Sequence, residues 1–184
     1  CSAASLPWHS SYWPNTTMFN NIKTDSMKEL NITVPVKALG NEELSDTDRE
    51  LVRLAREATF RSYSPYSHFS VGAAILLDNG EIVTGSNQEN AATPSSLCAE
   101  RTAAYYAHSR YPDAKFTAIA IAARDTAGHP LAAPISPCGA CRQALLEFET
   151  LAGRDVRVIL AGRDQCYLLP SVASLLPLCF THFE

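Results

Sequence analysis

Basic charge is in short supply in this sequence of 184 residues: 15 Lys and Arg stand against 19 Asp and Glu, a formal charge of −4. Such a surface does not draw in a polyphosphate backbone over long range, so nucleic acid is not expected as a partner. Long apolar runs are also missing. None reaches the roughly 18 residues of a membrane span, so no membrane partner is expected. No charged segment followed by an apolar stretch marks a secretory leader, and the expectation is a cytoplasmic, reduced protein. Internal repeats are absent. Periodicity is absent too from residues 1–26, which are rich in Ser, Asn, Thr and Pro and read as a flexible extension. Met27 opens a more regular stretch and is a candidate start, because the chain begins on Cys1. Residues 27–184 read as one domain, long enough to bury a core.

Among what is present, the six cysteines carry the most information: Cys1, Cys98, Cys138, Cys141, Cys166 and Cys179. Cys138 and Cys141 form a C-x-x-C pair, which in a chain of this size points to a metal or redox site before a disulfide framework. Cys1, Cys166 and Cys179 read as ordinary thiols.

The order of elements follows from periodicity and turn residues. Ser45 followed by Asp48 fits a capping box with Asp in place of Glu. Leu51, Leu54, Ala55 and Ala58 then share one helical face, read as core. Residues 69–77 are strand-like, Asp78-Asn79-Gly80 signals a hairpin, and residues 81–86 pair back. Helices are expected over 98–109 and 138–150, strands over 116–123 and 156–161, and a short helix over 171–175. This order gives an α/β fold with a mixed sheet and helices on its faces.

Two motifs lie 40 positions apart, Cys98-Ala99-Glu100 and Pro137-Cys138-Gly139-Ala140-Cys141, each at an expected helix start. Unpaired N–H groups and the helix dipole there favour the thiolate that a metal needs. Cys138 and Cys141, at i and i+3, can turn both sulfurs to one ion. Three thiolates leave the fourth tetrahedral position of a zinc ion open, as in a catalytic rather than a closed structural site. Glu100 is then free to act on protons of a zinc-acidified water. A Cys ligand, a Glu two residues on and P-C-x-x-C together form the signature of zinc deaminases. The competing readings are a structural zinc site or a redox pair. A structural site needs a fourth ligand, and no remaining Cys or His has a partner at ligand spacing.

Four stretches in order, Tyr63–Ala74, Asn87–Ala91, Cys98–Ala103 and Ser136–Gln143, resemble the cytidine deaminase family of the small homotetrameric, three-cysteine type. A weaker echo is residues 175–180. The resemblance implies a three-layer α/β/α fold with a mixed five-stranded sheet and one zinc ion per chain held by Cys98, Cys138 and Cys141. It implies hydrolysis of cytidine and deoxycytidine to uridine and deoxyuridine with release of ammonia, in pyrimidine salvage. Glu100 would be the catalytic acid–base, moving a proton to N3 and then to the leaving amino group. Asn87 and Glu89 would bind the ribose 3′-hydroxyl, and a site built for that hydrogen bond rejects ligands lacking it. Phe69 would pack on the pyrimidine, the Ala99 backbone would hold the polar edge of the base, and Phe180 would serve a neighbouring subunit. Three thiolates and a hydroxide leave zinc with a negative excess, which Arg101, or alternatively Arg142, would offset. Thr93 departs from the family, many members of which carry Tyr here. A related aminopyrimidine nucleoside such as blasticidin S is therefore the alternative substrate. A nucleic-acid-editing deaminase is disfavoured by the acidic charge and short loops. A zinc-stabilised binding module without catalysis is disfavoured by the intact Glu100.

Overall fold

Alternation of small and large side chains in the run FTAIAIAAR decides how the layers form. The run is strand β4, Phe116–Arg124, in the computed structural model, which describes residues 28–181. Both of its faces are buried, so it reads as continuously apolar rather than alternating polar and apolar. Its alanines, Ala118, Ala120 and Ala122, face one core, whereas Ile119 and Ile121 face the other. β4 pairs antiparallel with β2 (Ser70–Leu77), which pairs antiparallel with β3 (Ile82–Ser86). On its other side β4 pairs in parallel with β5 (Arg157–Ala161). β6 (Gln165–Leu169) and β1 (Lys37–Gly40) continue antiparallel beyond β5. The sheet order is β1-β6-β5-β4-β2-β3.

The sheet has six strands where the sequence implied five. The surplus comes from short segments at one edge. β1 spans 4 residues, and β6 gains its strand character from pairing with β5 rather than from any alternation of its own. The expected mixed sheet and the α/β/α layers are present.

Helix α1, Asp46–Ala58, covers the alanine face, placing Leu51, Val52 and Ala55 against Ala74, Ala118 and Ala120. Helices α2, Ala99–Arg110, and α3, Gly139–Ala152, cover the isoleucine face with Ala103, Ala107, Leu145 and Phe148. Ser45 caps α1 as expected, its hydroxyl accepting from the Asp48 amide at 3.1 Å. Asp48 does not complete the capping box. Its carboxylate is buried and accepts from Arg157 Nη2 at 2.5 Å, tying α1 to β5. Leu54 is only half-buried, and Val52 takes the deeper place on that face.

The hairpin turn forms as expected, with Gly80 at φ +86. The short helix expected over 171–175 is a single 3-10 turn, Ala173–Leu175. The elements above all belong to one compact unit that begins at Thr33. The extension expected over 1–26 lies outside the described residues, as does Cys1. No helix among the described residues is long and apolar enough to cross a membrane.

Candidate active site

Two helix starts bring the motif cysteines together. Cys98 is the N-cap of α2 and Cys138 the N-cap of α3, both with extended backbone. Neither side chain caps its own helix, as Ser or Asp at that position would, so both sulfurs remain available. Cys141 sits one turn into α3 and is fully buried, while Cys98 is half-buried and Cys138 exposed. The three Sγ atoms lie within 4.8 Å of one another, and those of Cys98 and Cys138 are 3.8 Å apart. A tetrahedral zinc with Zn–S bonds of about 2.3 Å holds neighbouring sulfurs about 3.8 Å apart, so zinc fits this donor set. No other cluster of three such groups occurs among the described residues.

The close seat of α2 follows from Gly85 in β3. A Cβ built there would lie 2.5 Å from the Ala103 amide nitrogen and 2.7 Å from the Ala99 carbonyl oxygen. Only glycine lets the helix backbone rest on the strand at that distance. The ligand Cys98 is therefore positioned by a missing side chain on another element. A glycine inside a strand pattern was the available sequence signal for this, and the sequence reading did not use it.

The charges around the sulfurs are consistent with a metal site. Arg101 Nη2 lies 3.6 Å from Cys98 Sγ. Hydrogen bonding from Cys141 lowers the Cys98 thiol to about 5, and Arg101 pushes the same way. The same shared proton pushes Cys141 up. Glu100 is 4% exposed, and burial pushes its carboxyl above the usual carboxylate range, with the Cys98 charge adding to the rise. A buried carboxyl beside the sulfurs is placed to take up and return a proton. Arg142, the alternative partner for the thiolates, is occupied elsewhere. Its guanidinium donates to Pro137 O at 2.8 Å, Leu175 O at 3.0 Å and Ser136 Oγ at 2.9 Å. It braces the loop leading into α3 against the 3-10 turn, which corrects that expectation.

Asn87, Glu89 and Phe69 gather around the loop over residues 62–70. Asn87 is largely consumed by the fold. Its Oδ1 accepts from Val71 N at 2.8 Å and Ser62 Oγ at 2.6 Å, and its Nδ2 donates to Phe69 O at 2.8 Å. One N–H of the amide is left over. Glu89 Oε2 accepts from the Tyr66 and Ser67 amides at 2.8 and 3.3 Å. These contacts, with the Ser67 hydroxyl first, hold its carboxyl below the usual range, and so it stays ionised. Phe69 is half-buried just before β2, and Ala99 is the fully buried first residue of α2. Thr93 opens an exposed 3-10 turn, Thr93–Ser95. Phe180 is 55% exposed, and its carbonyl accepts from Gln143 Nε2 at 2.8 Å, which fastens the end of the chain to α3.

Sequence reasoning missed one further residue. Glu149, in the last turns of α3, is buried and accepts from three backbone amides. These are Val156 N and Val172 N on one oxygen and Ala173 N on the other, at 2.9, 2.6 and 2.9 Å. Burial pushes its carboxyl up against the pull of those N–H groups. It stands apart from every motif, and its acceptance from residues 156, 172 and 173 depends on the fold rather than on any local pattern.

The fold and the site together define an α/β/α protein with a three-thiolate metal centre at paired helix N-termini and a buried carboxyl beside it. Residues 45–153 match the family model of the cytidine and deoxycytidylate deaminase zinc-binding region, and the chain belongs to the cytidine deaminase family. It is 40% identical over 136 residues to a cytidine deaminase of Halalkalibacterium halodurans, covering 73% of this chain and 95% of that one. A cytidine deaminase of Sporosarcina psychrophila is 40% identical over 132 residues, 72% of this chain and 90% of that one. Among solved structures, the cytidine deaminase of Burkholderia pseudomallei superposes with a TM-score of 0.59 at 33% identity, covering 74% of this chain and 100% of the other.

Proposed function

We propose that this protein hydrolyses the 4-amino group of cytidine and deoxycytidine, releasing ammonia and leaving uridine and deoxyuridine. The observation that carries the reading is the convergence of Cys98, Cys138 and Cys141 beside the buried carboxyl of Glu100. Zinc, when bound by the three thiolates, supplies an acidified water. Glu100 takes a proton, delivers it to N3 of the pyrimidine and then serves the leaving amino group. Its buried place beside the sulfurs suits it to both directions of transfer.

The other roles follow from the resemblance to the family. Phe69 packs on the base, and the Ala99 backbone holds the base's polar edge. Glu89, ionised, accepts from the ribose 3′-hydroxyl, while the remaining Asn87 N–H donates to it. Arg101 draws charge from the thiolates through Cys98. The same reading takes residues 27–184 as one catalytic domain, assembled as a homotetramer in which Phe180 serves a neighbouring subunit. It places the enzyme in pyrimidine salvage in the cytoplasm.

Glu100→Ala tests the central claim. The variant should hold about one zinc per chain yet release ammonia from cytidine at least about a hundredfold more slowly. Full turnover by the zinc-loaded variant would refute the assignment. Cytidine, deoxycytidine and blasticidin S assayed side by side decide the substrate, with the first two expected to react and the third to be inert.

A further inference from the structure

A polar groove of about 440 Å³ opens between the loop over residues 62–70 and the turn over residues 125–128. Ser62, Ser64, Ser70 and His68 line one side, and Arg124 and the turn line the other. None of these residues belongs to the cysteine cluster, and only Ser62, which donates to Asn87 Oδ1 at 2.6 Å, touches a residue given a role in the chemistry proposed above.

Arg124 is held at the end of β4 with donor capacity to spare. Its Nη2 donates to Thr59 O at 3.1 Å, and its guanidinium lies 4.3 Å from the centre of the Phe60 ring. Its Nε is buried without any hydrogen-bond partner. Gly128 faces Nη1, which lies 3.7 Å from where a Cβ would stand, so position 128 puts no side chain against that atom. With Nε sealed from solvent, the donors left for a ligand are those of Nη1 and the remaining N–H of Nη2, and that end of a guanidinium can pair with an oxyanion.

The opposite wall supplies hydroxyls. Ser62 Oγ gives its one proton to Asn87 Oδ1 at 2.6 Å and lies 3.2 Å from Ser64 Oγ, from which it can accept, and the Ser64 and Ser70 hydroxyls lie 3.5 Å apart. The last of these contacts is long enough to give way to a ligand. His68 adds an imidazole from a backbone at φ 55, the single non-glycine positive φ among the described residues. Its amide closes a turn onto Ser64 O at 3.0 Å. Backbone strain of this kind persists where surrounding structure holds it, and it concentrates at binding sites. One group opposes an anion. Asp125 lies in the groove wall, but its Oδ1 already accepts from the Ala127 and His129 amides at 2.9 Å each, and those bonds hold its carboxyl low.

We infer that this groove is a binding site for a phosphate group, held by Arg124 across from the hydroxyls of Ser64 and Ser70 and the imidazole of His68. The shared chemistry is a phosphate dianion, supplied either as inorganic phosphate or as a phosphate monoester. The groove is open to solvent, so its phosphate can be free or carried on a sugar.

Calorimetric titration of the zinc-loaded full chain, at fixed ionic strength, tests this with inorganic phosphate and with ribose 5-phosphate. One site per chain is expected. Binding of both ligands identifies a monoester site, and binding of inorganic phosphate alone identifies a free-anion site. Arg124→Gln should weaken binding about tenfold or more, the loss of one charged hydrogen-bonding group. Asp125→Asn keeps the acceptor for both amides and removes the opposing charge, so it should tighten binding. Ser64→Ala should weaken it severalfold and serves if Arg124→Gln lowers the thermal midpoint. No saturable binding of either ligand, or binding that Asp125→Asn and Ser64→Ala leave unchanged, would overturn the proposal. Cytidine turnover, measured separately without phosphate, keeps this outcome distinct from the fate of the deaminase reading.

Discussion

Adding a single methyl group at Gly85 should damage the metal site without touching any ligand. In Gly85→Ala the new Cβ would stand 2.5 Å from the Ala103 amide nitrogen. Relief to the 3.4 Å of ordinary contact requires about 0.9 Å of movement between β3 and α2. Because β3 is hydrogen-bonded to β2 along its length, α2 is the element that moves. It carries Cys98 at its cap and Glu100 and Arg101 in its first turn. Zinc tolerates about 0.2 Å of error in a ligand distance, and a misplacement near 1 Å costs about a hundredfold in rate. Overpacking itself costs about 1–3 kcal/mol. Gly72→Ala is the matched control. Its Cβ would meet the Ala55 carbonyl oxygen at 2.1 Å, a clash at least as severe, but the helix it displaces is α1, which bears no ligand. Both variants should lose stability by thermal denaturation. Only Gly85→Ala should also lose zinc to a competing chelator at lower concentration and lose about a hundredfold in kcat/KM. Equal zinc retention and equal specific activity in the two folded variants would refute the reasoning.

Arg101→Gln should lower kcat about tenfold with the thermal midpoint nearly unchanged, since the guanidinium acts on Cys98 rather than on the core. Unchanged turnover in the well-folded variant would remove Arg101 from the site. Glu89→Gln should raise KM for cytidine about tenfold by replacing an ionised acceptor, and it should affect a 3′-deoxy analogue far less. Glu149→Gln should be a stability variant. Its amide keeps one acceptor oxygen for three backbone donors, leaving one or two buried N–H groups unpaired at about 2–4 kcal/mol. At about 2–4 °C per kcal/mol, the midpoint should fall by about 4–16 °C, with kcat at room temperature preserved. A shift under about 2 °C would show that those bonds are dispensable.

Much of this arrangement was legible in the sequence because it depends on local patterns. The two ligand helices begin where Cys98 and Cys138 stand, and β2, β4 and β5 lie within a residue or two of the apolar runs that announced them. Relations across the fold were not legible. β6 becomes a strand by pairing with β5, and β1 by pairing with β6. Asp48 looked like the second half of a capping box, yet its partner Arg157 is 109 positions away. Arg101 and Arg142 occupy similar places after their cysteines, one at the fourth residue of its motif and one directly after it. Only the position of the Ala173–Leu175 turn decides that the second braces a loop. The consumption of Asn87 by Val71, Ser62 and Phe69 likewise depends on a loop whose path no local pattern specifies.

The alternating strand β4 also sets unequal rules for how this sequence can drift. On the side of α1, Ala118, Ala120 and Ala122 are all but sealed from solvent. Nearly every replacement there enlarges the side chain and presses on a helix already seated against Gly72. On the opposite side, Ile119 and Ile121 can shrink to valine at about 0.5–1.5 kcal/mol each, leaving small voids rather than clashes. Random substitution along these few residues should therefore yield survivors at alternate positions. A library over 118–122 sorted by soluble expression would return changes at 119 and 121 and keep 118, 120 and 122 as alanine.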